Sequence, residues 1–461
     1  VGAAVSAQAW SGTSMWVDRA FVPVRYAFSF SWGRSGRLPG QDAATMGFLD
    51  SLWVSVLTGL HGIGVEPVKA LPVLGVLAAG LCVTVLFADA IRRLDFGRCL
   101  LPVVAFAASS PLLIAARSGT NDAWLAMWTA LVLMTIRHPL DTPKGRVLPT
   151  IAVGGLALCG PFGLAASLGA VAADRRMIWS VSVAGAVQVM GGLLLGLEFP
   201  TALAVDLQII TPQRLVVLAG AMPVLLTLGV FGVGSTTFGH PATRVAGWCA
   251  LVWLFRGITG SGDVAPGADR FLPAVVAFCW LSTHTMMNIR RGRAVVITAL
   301  LLVVIDVARP RASVEGVARE RRIALKESQA MARFLKWRFS SPQPVVLHSA
   351  GSIAYHYGGP VIDASGRTEV REMSPESILG LRPAAMVPSR NFVGPSITFT
   401  PMFEGAQATV AAAYDHHSVQ HQRKWGLTQA HPVFFQYLTR KDIARLPDHI
   451  SEEDGNRFPK Q

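Results

Sequence analysis

The chain has 461 residues, 51% of them hydrophobic and 15% charged, and a water-soluble protein of that composition has more apolar surface than it can bury. The formal net charge of +13 does not point to nucleic acid, because many Arg and Lys residues stand in short connections between apolar runs, where they set topology or meet anionic headgroups. Cys82, Cys99, Cys159, Cys249 and Cys279 lie in apolar runs without paired spacing, which argues against a disulfide frame or metal site and for small core residues.

In chain order, Val1 to Trp16 is too short to cross about 30 Å of hydrocarbon and reads as the second half of a truncated first span. Gly47 to Leu60 is also short and is expected to lie in the interface. Spanning stretches follow at roughly 68–91, 99–116, 121–136, 177–197, 213–233, 245–258, 270–287 and 294–308, with 147–173 broken at Gly160-Pro161 into two short helices. The expected fold is a polytopic α-helical membrane protein of about ten spans, occupying residues 1–310, followed by a soluble α/β domain at 311–461.

Orientation comes from basic connections. Arg92/Arg93/Arg98, Arg137/Lys144/Arg146, Arg175/Arg176 and Arg290/Arg291/Arg293 are placed in the cytoplasm by the positive-inside rule. The loops around Asp18 to Thr45, Arg117 to Asp122, Gly160-Pro161, Glu198 to Arg214 and Arg256 to Arg270 then face outward. Arg19, Arg25, Arg34 and Arg37 break the rule in the first of these, which means either that this loop faces the other way or that the cluster is a site for an anionic group. After Arg309-Pro310-Arg311 a charged helical run extends through Lys336, then Val345 to Leu347 reads as a strand, with Pro360 to Asp363 as its neighbour. His416, His417 and His421 have no accompanying ligands at metal spacing and read as an exposed loop.

Several segments in order along the chain resemble the GT-C class of membrane glycosyltransferases that use polyprenyl-phosphate sugars, and within it the arabinofuranosyltransferase-like branch. They are Asp18-Arg19-Ala20-Phe21-Val22-Pro23-Val24-Arg25-Tyr26-Ala27, Pro39-Gly40, Gly47 to Trp53, Ser118-Gly119-Thr120-Asn121-Asp122, Gly262-Asp263 through Arg270-Phe271-Leu272-Pro273, and Gly351 through Gly366 with its Gly359-Pro360-Val361-Ile362-Asp363 core. Departures run in one direction. Arg19 replaces the second of two acids, Met46 replaces a Glu, and the charged turn becomes Gly160-Pro161-Phe162-Gly163.

The resemblance implies inverting transfer of a sugar from a polyprenyl phosphate to a cell-envelope glycan or lipid, outside a bacterial cytoplasmic membrane, with the C-terminal domain periplasmic. Such chemistry needs a carboxylate for the acceptor proton and cations for the departing phosphate. Asp18 is the candidate base, with a helix N-cap as its alternative. Arg19 and Arg25 are candidates for the donor phosphate, with interfacial snorkelling as the alternative. Asp263 and Arg270 are candidates for acceptor binding or support, Arg270 pairing with Asp263 or Asp269, while Asp122 reads as a helix-start residue. No cofactor is expected, and Arg19 disfavours a divalent cation by like charge. The lost acids leave a second reading open, a catalytically lapsed member serving as a structural subunit of a membrane complex. A transporter would show two similar halves, and no such repeat is present.

Overall fold

The computed structural model describes residues 20–33, 38, 44–45, 51–92, 94, 96–136, 143–194, 197–198, 241–259, 268–288, 310–339, 343–347, 351–363, 375–387, 413–421 and 433–442. Internal packing divides the chain into two units. The first comprises residues 1–23, 48–194 and 202–322, and the second residues 24–47, 195–201 and 323–461.

The elements begin with α1 (Phe21–Ser31), β1 (Ala44–Thr45), α2 (Ser51–Gly62) and α3 (Pro67–Ile91). There follow α4 (Phe96–Ala107), α5 (Ser110–Ala115), α6 (Asp122–Thr135), α7 (Pro143–Ala157), α8 (Pro161–Ala173), α9 (Ile178–Leu194), β2 (Leu197–Glu198), α10 (Pro241–Thr259) and α11 (Leu272–Asn288). A single long helix, α12 (Pro310–Arg338), contributes residues through Arg322 to the first unit and from Ile323 onward to the second.

Helix α3 starts cleanly because Pro67 occupies its first turn, where a missing N–H costs nothing. Among the described residues it is the one helix long and apolar enough to cross a bilayer, and Asp122–Thr135, Val147–Ala157 and Pro161–Ala173 are shorter apolar helices. The stretch expected as one span over 99–116 is instead two helices, α4 and α5. Pro111 cannot donate to the preceding turn, and Ser109, extended at φ −67° and ψ 138°, turns the chain while its hydroxyl donates to Phe106 O at 2.7 Å. The break at Gly160-Pro161 falls where the sequence places it. Gly160 has φ +89°, which a side chain rarely adopts. From Ser51 onward the segment Gly47 to Leu60 belongs to α2, whose Trp53, Val54 and Leu57 are buried, so that part packs inward. The expected spans 213–233 and 294–308 lie outside the described residues.

Some hydroxyls inside these apolar helices are satisfied within their own helix, as when Thr129 donates to Leu125 O and Ser167 to Gly163 O, each at 2.8 Å. Between helices, Trp248 Nε1 donates to Ala165 O at 2.7 Å and Gln188 Nε2 to Ala157 O at 3.0 Å. The core joins Cys82 and Val83 of α3, Phe106 of α4, Leu125 and Leu133 of α6, Val153 of α7, Trp253 of α10 and Trp280 of α11. Outside that core the helices stay apolar. Leu77, Leu81, Ile151, Trp179, Val183, Val187 and Leu251 are all exposed, an apolar surface that hydrocarbon covers and water does not.

The second unit contains β3 (Val345–Leu347), α13 (Ser352–Tyr357), β4 (Val361–Asp363), α14 (Pro375–Gly380), β5 (Ala385–Val387), β6 (Tyr414–His421) and β7 (Val433–Arg440). The five strands run in the order β4-β3-β5-β7-β6. Strand β3 pairs in parallel with β4, Val345 opposite Val361, so the two segments expected to be adjacent are so. Strands β5 and β7 pair antiparallel. Met331, Ala332 and Leu335 of α12, with Ile353 and Ala354 of α13, bury against Val345, Leu347 and Val361, and Tyr357 Oη donates to Gln343 O at 2.9 Å. His416, His417 and His421 belong to β6 and not to a loop. Separately, β1 and β2 form a short parallel pair.

Candidate functional site

Charge inside the first unit gathers where α5, α6, α10 and α12 meet the 3-10 turn Ala268–Phe271. The loop after α5 begins with Arg117 and ends at Asp122, the first residue of α6. Gly75 of α3 makes room for it: a methyl group there would stand 2.5 Å from Ala116 O. Within the loop, Ser118 and Thr120 hydroxyls lie 2.6 Å apart, and Thr120 Oγ1 donates to Asp122 Oδ2 at 2.6 Å. Asp122 is fully buried. Its other oxygen is 2.8 Å from Arg256 Nη1 at the end of α10, whose guanidinium also lies 5.7 Å from the Trp253 ring centre and reaches Arg270 O at 3.5 Å.

One residue before Arg270, buried Asp269 accepts from Arg321 Nη2 of α12 at 3.1 and 3.2 Å. Residues Val314 and Ala318 on the same face of α12 pack on Ile114 of α5, a spacing of seven residues from 314 to 321 that a helix keeps on one side. Burial and, after it, the charge of Arg322 hold the Arg117 guanidinium below its ordinary pKa. Arg322 Nε itself donates to Ala318 O at 3.1 Å.

This geometry brings Ser118 to Asp122 together with Arg270, in the described part of the Gly262 to Pro273 segment, through Asp122, Arg256 and the backbone of Arg270. Arg117 to Asp122 and the two described ends of the Arg256 to Arg270 loop, which the positive-inside rule assigns to one face, therefore lie together. Asp122 starts a helix, as its sequence position indicates, and also neutralises Arg256. The carboxylate of Asp269 goes to Arg321. Of the residues singled out from sequence, Asp18, Arg19 and Asp263 lie outside the described residues. Arg25 is on α1 of the second unit and is buried. Arg270 is half-buried in the 3-10 turn. No group of three or more His, Cys, Asp or Glu that could hold a metal ion occurs among the described residues.

Arg256, Arg321 and Arg117 were not singled out from the sequence as site residues. The signal for Arg256 is a lone cation closing an apolar helix, which has to find a carboxylate at the same depth; the signal for Arg321 is its position on the Val314-Ala318 face.

No family model and no curated protein matches the sequence. Solved structures do match in fold. ArnT from Cupriavidus metallidurans bound to undecaprenyl phosphate superimposes with a TM-score of 0.57 at 14% identity, over 97% of this chain and 98% of ArnT, and its apo form gives 0.54. A mutant form of the arabinofuranosyltransferase AftD from Mycobacteria gives 0.50 at 14% identity, over 95% of this chain and 41% of AftD. At such identity the likeness is one of fold. That likeness of fold, to ArnT and to an arabinofuranosyltransferase, agrees with the resemblance carried by the motifs.

Proposed function

We propose that the protein is a membrane glycosyltransferase of the GT-C class that moves a sugar from a polyprenyl-phosphate donor to a cell-envelope glycan or lipid. In this reading about ten spans cross a bacterial cytoplasmic membrane, and the domain from residue 311 lies on the periplasmic side with the loops of Asp18 and Asp263. The observation that carries it is the likeness of fold along nearly the whole chain to ArnT, which was crystallised with undecaprenyl phosphate. Fold alone does not fix function. The resemblance of the Asp18 and Gly262 to Pro273 segments adds the chemistry.

In the proposed step the acceptor hydroxyl oxygen bonds to the anomeric carbon, the bond from that carbon to the phosphate oxygen breaks, and inversion results. The proton passes to Asp18. The electron pair leaves with the polyprenyl phosphate, held by Arg19 and Arg25, while Asp263 and Arg270 orient the acceptor. Asn can still cap a helix, so Asp18→Asn in the full-length protein should express and fold normally yet lose sugar transfer from a polyprenyl-phosphate sugar to envelope acceptor. Retained transfer in Asp18→Asn removes the assignment of the base.

The second reading is a lapsed relative acting as a subunit of a membrane complex. It is favoured by the lost acids, Arg19 and Met46 among them, and by Asp122, whose carboxylate is committed to Arg256. Absence of transfer by the wild-type chain, with co-purification of a stoichiometric membrane partner, decides for it.

A further inference from the structure

Four rings form a row in the second unit. Trp32, one residue past α1, has its ring centre 5.4 Å from that of Phe28, and Phe28 lies 6.1 Å from Tyr355 of α13 with the two rings inclined by 30°. Tyr355 in turn is 5.1 Å from the His356 ring. Spacing by four residues puts Phe28 and Trp32 on one side of α1, and Gly33, at φ +70°, ends the helix just beyond them. Trp32 is 61% exposed, and among the described residues of the second unit no large apolar side chain is more so. Phe28, Tyr355 and His356 are half-buried. Polar groups stand at that end of the row. Gln329 Nε2 of α12 lies 3.4 Å from His356 Nε2, and Arg333, one turn on and exposed, donates from Nε to Gln329 O at 3.3 Å.

We infer that this row is a platform for a saccharide chain, held by stacking on Trp32, Phe28 and Tyr355 and by hydrogen bonds to Gln329 and Arg333. A sugar ring has both surfaces that such a row needs. Its face of C–H bonds packs on an aromatic face, and the hydroxyls around its edge suit an amide and a guanidinium. The order of polarity argues against the membrane interface as the occupant. A bilayer is polar outside and apolar within, whereas here the exposed end is the indole and the half-buried end carries imidazole and amide. The inference rests on the proposed transfer in one respect, that the bound chain is the acceptor; it then names a glycan, and not a lipid, as what the second unit holds.

The test is calorimetric titration of the full-length protein in detergent with oligosaccharides released from the cell-envelope polysaccharide of the organism that makes it. The wild type should bind, and Trp32→Ala, at an exposed position, should weaken binding about tenfold. Trp32→Phe should keep most of the affinity, and Gln329→Ala should lose about three- to tenfold. Trp179→Ala, 75% exposed in the first unit, should change nothing. Absence of binding by the wild type, or wild-type affinity in both Trp32→Ala and Gln329→Ala, overturns the platform. Nanodiscs of brominated phosphatidylcholine test the other occupant: tryptophan quenching that is lost in Trp32→Phe places the ring in the bilayer and also overturns it. Sugar transfer is assayed separately, and there Trp32→Ala should raise the acceptor KM more than it lowers kcat. Trp32-dependent binding without any transfer by the wild type upholds the platform and removes the transferase reading. Transfer with an unchanged acceptor KM in Trp32→Ala keeps the transferase reading and overturns the assignment of the acceptor to the platform.

Discussion

Asp122 and Arg256 stand at the ends of two different apolar helices and meet at 2.8 Å, the carboxylate fully buried and the arginine side chain 15% exposed. Two ions so placed are expensive to desolvate, and removing either strands the other. Asp122→Asn or Arg256→Met is therefore expected to destabilise the protein by about 3–5 kcal/mol. Thermal unfolding in detergent measures it. Asp122→Leu combined with Arg256→Met should recover most of the loss, since well-packed apolar groups replace such a pair at small cost. A double variant no more stable than the singles would show that the pair holds the fold in some further way.

Gly75 lets α3 approach the backbone of the loop that carries Arg117. The obstacle a methyl group would meet is Ala116 O at 2.5 Å, a main-chain atom that cannot swing aside. Gly75→Ala should cost about 1–3 kcal/mol by overpacking. The same assay checks it, and an unchanged melting temperature would contradict the close approach.

In the second unit, His356 is held down to a pKa of about 4 by burial first, then by Lys336 and Arg333. Its Nε2 lies 3.4 Å from the Gln329 amide nitrogen, an arrangement that suits a neutral ring accepting the bond. The unfolded chain has an ordinary histidine near pH 6.5. As pH falls from about 6.5 to about 4 the unfolded state takes up a proton that the folded state refuses, so stability falls through that window and levels off below it. Discounted for its partial exposure, the loss should be on the order of 1–2 kcal/mol. Hydrogen exchange over residues 351–363, compared at about pH 7 and about pH 4.5, measures it. His356→Gln should flatten the dependence.

Topology offers a check that needs no activity. A periplasmic reporter fused after Arg311 should be active and a cytoplasmic one silent, because the positive-inside count places the Arg290, Arg291 and Arg293 connection inside and the following domain outside. The opposite result would separate the C-terminal domain from the face on which Asp18 and Asp263 are proposed to work.

What could be read from the sequence was whatever local chemistry fixes. Pro67, Gly160-Pro161 and the charged run into Lys336 each punctuate the chain by their own backbone limits, and the helices begin or end there. The pairing of β3 with β4 was legible because two short β-branched runs flank a segment long enough for one crossover helix. The 99–116 stretch misled because its composition is mostly apolar, and a hydropathy reading passes over the break at Ser109 and Pro111. The ion pairs were beyond the sequence for a different reason. Asp122 with Arg256, and Asp269 with Arg321, are chosen by how helices pack, and no periodicity within one segment encodes the partner in another.

Strand order in the second unit has a consequence for how the protein is made. Strand β7, formed by residues 433–440, inserts between β5 and β6, so β5 gains its outer neighbour only once residues 433–440 have been made, well after β5 itself. Until then its backbone N–H and C=O groups on that side await a partner, which exposes the nascent domain to mispairing and proteolysis. A chain cut short between Val387 and residue 433 would carry β3, β4 and β5 with the β5 edge, covered in the finished sheet, left unpaired.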